Sequence, residues 1–101
     1  METKENCKVL LKNNKWQKVK CYKFFQTDIE RELAVHEDVD NKGRTSISDV
    51  QTGYGLSQFN KNIKEVTEKD INDTLNRFIK HYTIEGISKR FKEMEDRNKK
   101  D

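Results

Sequence analysis

Past the middle of this chain the spacing of its apolar residues changes period. That change restricts the fold more than any single residue does. Through Phe59 the apolar side chains tend to recur at every second position, whereas from Ile71 onward they recur at intervals of three and four. A two-residue period suits a half-buried strand and a 3.6-residue period suits an amphipathic helix. Strands followed by helices predict an α+β fold: an N-terminal antiparallel sheet of three to five short strands, built as two hairpins, with two C-terminal helices packed on one face. The alternative is a winged helix-turn-helix, with the 32–50 hairpin as its wing.

The first hairpin is read from Cys7–Leu11 and Gln17–Phe25, joined through Lys12-Asn13-Asn14-Lys15. Asparagine tolerates positive φ and suits such a turn. A loop centred on Asn14 sets Cys7 opposite Cys21 and Val9 opposite Val19. It collects the odd-numbered apolar residues on one face. Lys8, Leu10, Lys12, Trp16, Lys18, Lys20, Tyr22 and Phe24 then fall on the other. Gln26–Arg31 is a polar connection, long enough for one helical turn.

The second hairpin is predicted from Glu32–Val39 and Arg44–Val50, with Asp40-Asn41-Lys42-Gly43 as its tip and glycine supplying the positive φ. A turn at Thr52-Gly53-Tyr54-Gly55 leads to a last short strand, Gly55–Phe59, and residues 60–66 form a polar joint. Thr67 is suited to cap the first helix, with Asp70 completing a capping box and Val66 and Ile71 at the staple positions. The stripes are Ile71, Leu75, Phe78, Ile79 and Tyr82 on the first helix and Ile84, Ile87, Phe91 and Met94 on the second, which Thr83 can cap. Residues 97–101 are expected to fray.

A chain of 101 residues fits one small domain. There is no proline, no Gly/Ser-rich or Gln/Asn-rich tract and no apolar run near the roughly 18 residues of a membrane span. The sequence METKENCKVLLKNN lacks the apolar region of a signal peptide. A cytoplasmic protein with two reduced thiols follows, and no membrane partner. The net charge of +3 conceals a polarity: +5 over residues 1–25, −4 over 26–59 and +2 over 60–101.

Most catalytic and metal chemistries lack their signatures. Cys7, Cys21, His36 and His81 stand singly, without zinc-ligand spacing, so no metal or cofactor is expected. The two cysteines fall on the odd-numbered face, where a free thiol packs as a small hydrophobe. Glu37, Asp38 and Asp40 with Asp49 lack the order of a calcium loop. The Gly53/Gly55 turn lacks a phosphate-loop ending. An enzyme is not expected; it would require a concave site joining His36 to Ser46 or Ser48.

The basic and aromatic residues carry the functional expectation: a small non-catalytic DNA-binding accessory or regulatory protein. Lys12, Lys15, Lys18 and Lys20 would neutralise phosphates, with Trp16 interleaved for stacking. Lys42 and Arg44, followed by Thr45 as a hydroxyl donor, would enter a groove from the hairpin tip. The size and mixed charge suit a plasmid or phage accessory protein. The alternative is a protein-binding inhibitor or adaptor, for example of a nucleic-acid-processing enzyme. It would engage its partner through Glu37, Asp38 and Asp40 and through a sheet edge or the last helix. Beyond finishing the core, the last helix would serve as a homodimer contact or fill a partner's groove.

Overall fold

A computed structural model describes residues 1–11 and 13–99, the last three as helix backbone alone. Five strands form one antiparallel meander in the order β1-β2-β3-β4-β5: β1 Glu5–Leu10, β2 Trp16–Gln26, β3 Arg31–Glu37, β4 Thr45–Asp49 and β5 Gly55–Phe59. A single 3-10 turn, Ile63–Glu65, leads to α1 Glu68–Tyr82 and α2 Ile84–Lys99. This is the predicted α+β arrangement rather than a winged helix-turn-helix. Lys100 and Asp101, in the stretch expected to fray, lie outside the described residues.

The alternation of each strand divides the sheet into two faces. Tyr22, Phe24, Leu33, Val35 and Ile47 share the face that receives the helices, where they pack with Ile71, Leu75, Ile87 and Phe91. Cys7, Val9, Cys21 and Ala34 lie on the opposite face and pack with Leu11, Val19, Val39 and Val50. Among the described residues, no helix covers that second face. It is enclosed because the sheet curls: the Leu10 N–H donates to Gly53 O across 2.9 Å, bringing the end of β1 against the turn between β4 and β5. Gly53 has φ +75°, and a Cβ there would run into the Trp16 ring and come within 2.9 Å of the Leu10 nitrogen. The seam therefore requires glycine both for its dihedral and for its lack of a side chain.

The β1–β2 pairing differs from the expected register. Cys7 pairs with Val19 and Glu5 with Cys21, a slip of two residues that leaves every side chain on its expected face. The cause is the turn. The Leu11 N–H donates to Lys15 O across 2.8 Å, so the loop is centred on Asn13, although Asn14 takes the positive φ of 63°. Residues 27–30 form a turn rather than a helical one, and Ile29 in it is buried in the core.

The local signals of α1 are realised in full. Thr67 Oγ1 accepts from Asp70 N and an Asp70 carboxylate oxygen accepts from Thr67 N, closing the capping box. Lys61 Nζ adds an ion pair to Asp70 at 2.8 Å. That ammonium group, followed by the Thr67 N–H, pulls the Asp70 carboxyl down to about 2. Thr83 ends α1 by donating its N–H to Ile79 O and begins α2 by accepting from Gly86 N with its hydroxyl. A single residue thus separates the helices, held at φ 64°, ψ 155°, a combination costly for any side chain and more so for a β-branched one. Tyr82 and Ile84 flank this corner and stand about half exposed, at 46% and 48%, so neither joins the buried stripe assigned to it from spacing.

Asp49 ties the helix-facing side of the sheet together. Its buried carboxylate accepts two bonds from the Arg31 guanidinium, at 2.9 and 2.6 Å, and two from Thr52, through N–H at 2.8 Å and hydroxyl at 2.6 Å. Arg31 also pairs with Glu95 and lies 4.4 Å from the centroid of the Phe91 ring. The bonds to Asp49 raise the guanidinium above its ordinary value, burial opposes them, and Glu95 adds to the rise. Asp49 is therefore occupied by Arg31 and the following turn and is not part of an acidic cluster with Glu37, Asp38 and Asp40.

Candidate functional site

The basic strand face is assembled on β1 and β2. Direct cross-strand partners are Asn6 with Lys20, Lys8 with Lys18 and Leu10 with Trp16. Lys8, Lys15, Trp16, Lys18 and Lys20 are all exposed, as the alternation predicts. Lys12 lies outside the described residues. The facing pair Lys8 and Lys18 is unfavourable by itself, since like charges directly opposite on a sheet repel. Spacing had placed Lys8 on this face but not among the candidate contacts. Its contribution follows from the observed register.

The tip of the β3–β4 hairpin is less available than its sequence suggests. Lys42 is exposed beside Gly43, which takes φ +92°. Arg44 is half-buried; its carbonyl accepts from Asp38 N at 2.9 Å, and its Nε is enclosed without a hydrogen-bond partner among the described residues. Thr45 is fully buried and donates its hydroxyl to Lys61 O at 2.7 Å, so it has no donor to offer a ligand. Glu37 and Asp40 are exposed but Asp38 is buried. Asp38 holds the tip from within by accepting from Asp40 N, Asn41 N and the Ser46 hydroxyl. Burial pushes its carboxyl up, but these three bonds and the nearby Arg44 outweigh burial and leave it below its ordinary value.

The two hairpins meet along one groove of about 380 Å³, lined by Gln17, Val19 and Lys20 from β2 and by Asp38, Val39 and Lys42 from the tip, among others. Lys20 and Lys42 are thereby brought to one concave surface, although they lie on different hairpins. Among the described residues, none of Lys8, Lys15, Lys18, Lys20 and Lys42 has a carboxylate within ion-pair distance.

A second groove, of about 440 Å³, opens on the curled face of the sheet. His36, Ser46 and Ser48 line it, and all three are buried. The imidazole is fixed at both nitrogens: Nδ1 lies 2.8 Å from Glu37 O and Nε2 2.8 Å from Ser48 Oγ. A carbonyl can only accept, so Nδ1 carries the proton and Ser48 donates its hydroxyl to Nε2. Burial holds His36 below its ordinary value, with the Glu37 carbonyl and Asp38 opposing in part. Sequence reasoning named these residues but could not establish that strand pairing joins them. Ser48 neighbours Ala34 on one side and Gly55 on the other, and both are small.

The remaining candidates are structural. Cys7 and Cys21 are free and buried. Burial, with the Cys7 thiol beside it, pushes the Cys21 thiol up to about 12, which leaves it protonated and unreactive. Among the described residues, no group of three or more His, Cys, Asp or Glu side chains is arranged to hold a metal ion. No helix among them is long and apolar enough to cross a membrane. Comparison with known proteins gives no relative to set beside this geometry: no protein-family model, curated protein or solved structure matches the chain.

Proposed function

We propose that the chain binds DNA through the β1–β2 strand face and the adjoining groove. The observation that carries the reading is the facing pair Lys8 and Lys18. It extends through Lys20 toward Lys42 along a groove that Glu37 and Asp38 also line, and no carboxylate among the described residues lies within ion-pair distance of these ammonium groups. A phosphate between two facing ammonium groups relieves their repulsion and gains from both. Trp16, 47% exposed at the end of the same stripe, offers a flat surface for a base or a sugar. Thr45 drops out of the contact set because its hydroxyl is engaged with Lys61 O, and Arg44, half-buried, is less accessible there than Lys42.

The test is a titration of labelled duplex and single-stranded DNA followed by anisotropy at several salt concentrations. Binding should weaken with salt, with a slope of about −0.9 per phosphate contacted on duplex. Lys18→Ala and Lys20→Ala should each lower that slope by about one. Absence of binding to either DNA form at low salt overturns the reading.

One observation favours a protein partner as the second reading. Leu56, Phe78, Tyr82, Ile87, Phe91 and Met94 line a largely apolar cleft between α1, α2 and the edge strand β5. That cleft and the exposed Glu37 and Asp40 would serve an inhibitor or adaptor. Unchanged partner capture by a Glu37→Lys/Asp40→Lys variant would remove the acidic residues from this reading.

A further inference from the structure

We propose that Ser48 and His36 form a nucleophile–base pair that takes up acyl groups from small uncharged esters bound in the groove on the curled face of the sheet. This groove shares Asp38 and Val39 with the one that carries Lys20 and Lys42, but neither lysine lines it.

Three features of geometry carry the proposal. The first is the relay itself. Ser48 donates to His36 Nε2 at 2.8 Å, and the opposite ring nitrogen is held by Glu37 O at 2.8 Å. A nucleophile, a base and a group orienting the base are the parts required to activate a hydroxyl. The second is rigidity. Both residues sit within central strands, on β3 and β4, and neither depends on a loop for its position. The third is space. The residue paired with Ser48 on β5 is Gly55, and a Cβ built there would meet nothing within 4 Å. On the other side the partner is Ala34. The ladder therefore leaves an open position beside the hydroxyl. The β4–β5 register is also irregular at this point, between Ile47 and Ser48, and such irregularities serve to re-aim side chains.

Ser46 is not the nucleophile, because its hydroxyl is committed to Asp38 at 3.1 Å. The groups around the imidazole support a neutral base. Burial lowers its basicity, and the charged or titratable neighbours are Asp38, Asp40 on the groove wall and the Cys21 thiol, directly opposite His36 across the ladder. The groove also selects its substrate. Val9, Leu10, Leu11, Val39 and Leu56 give it apolar walls, and Asp40 disfavours an anionic substrate. In the reaction the Ser48 oxygen bonds to the acyl carbon as its proton passes to Nε2. The bond from that carbon to the leaving alcohol breaks, and the alcohol departs with the proton. Water then attacks the acyl-serine by the same route, releasing the carboxylic acid and restoring the hydroxyl.

The test uses the full chain with a fluorophosphonate probe and with p-nitrophenyl butyrate. The expected result is a single phosphonyl adduct on Ser48, located by peptide mass spectrometry, together with ester turnover. Ser48→Ala should abolish both. His36→Gln should slow labelling by about 100-fold or more, the usual contribution of a positioned base. His81→Gln, on the surface of α1, should leave the labelling rate unchanged. Because substitutions at the buried pair can unfold the chain, Gly55→Val provides a second route. It fills open space and should block labelling in a protein with an unaltered circular dichroism spectrum. Failure of the folded wild type to label at Ser48 overturns the proposal, as does equal labelling in a folded His36→Gln variant; either result would make the pair a structural hydrogen bond only.

Discussion

The two faces of the sheet are buried by different means. On one, Leu33, Val35 and Ile47 are covered by two helices, and the apolar layer continues through Leu75 and Phe91. On the other, Cys7, Cys21 and Ala34 are enclosed because the sheet folds toward itself at the Leu10–Gly53 seam. The first face tolerates large side chains because the helices can stand off by whatever distance those side chains require. The second has no such freedom, since hydrogen bonding along the strands fixes its curvature. Its buried apolar residues, Cys7, Val9, Cys21 and Ala34, are accordingly smaller than those under the helices, and its polar groups satisfy one another. The cost of a substitution should therefore follow the face on which it falls.

The largest effect is expected on the helix-facing side at Asp49. Asp49→Ala leaves the half-buried Arg31 guanidinium without its main partner and two Thr52 donors without an acceptor. A loss of about 3–5 kcal/mol follows for breaking a buried pair, to be read from urea unfolding. Leu33→Ala, on the same face, should cost about 2–5 kcal/mol by the same measurement, since the fully buried leucine leaves a cavity between sheet and helices. Should Asp49→Ala prove nearly neutral, the four bonds on its carboxylate would not be what ties β3 to β4 and the following turn.

Gly53→Ala probes the other face. The new methyl group meets the Trp16 ring at a backbone that already requires positive φ, and about 1–3 kcal/mol is expected for overpacking. Trp16 fluorescence should change with it while the helical circular dichroism signal persists. If both signals move together, the faces are not independently enclosed.

The smallest effect separates the faces by pH. His36 lies below its ordinary value of 6.5 in the fold because it is buried. The unfolded chain therefore binds that proton more readily, so the contribution of neutral His36 is complete above 6.5 and is lost as pH falls toward the lowered folded value. Asp38 and Asp70 act only below their ordinary 3.8. Stability measured just below pH 6.5 should decline in the wild type and decline less in His36→Gln.

The sequence was most informative where structure depends on neighbours in the chain. The Thr67–Asp70 capping box and the glycine at the second hairpin tip are short-range devices, and both are present. The assignment of residues to faces needed only alternation. What alternation cannot specify is the partner. The two-residue slip between β1 and β2 preserves every face, and it was decided by hydrogen bonds inside a five-position loop closed by Leu11 and Lys15. The bond between Ser48 and His36, like the contacts of Asp49 with Arg31, depends on pairing between strands, for which one chain carries no local sign. Thr45 was misjudged as a ligand donor for a related reason: its acceptor, Lys61 O, comes from a segment sixteen residues away.

Arg31 carries a consequence for the order in which the protein can be made. Its guanidinium, on the third strand, is enclosed by Asp49 from the fourth and by Phe91 and Glu95 from the last helix. A nascent chain that has emerged only as far as β5 holds the strand residues but lacks two of those three partners, and its wide apolar face is still bare. Arg31 therefore lacks its full set of contacts until residue 95 has cleared the ribosome, and until then the face awaiting the helices is the surface that a chaperone would have to shield.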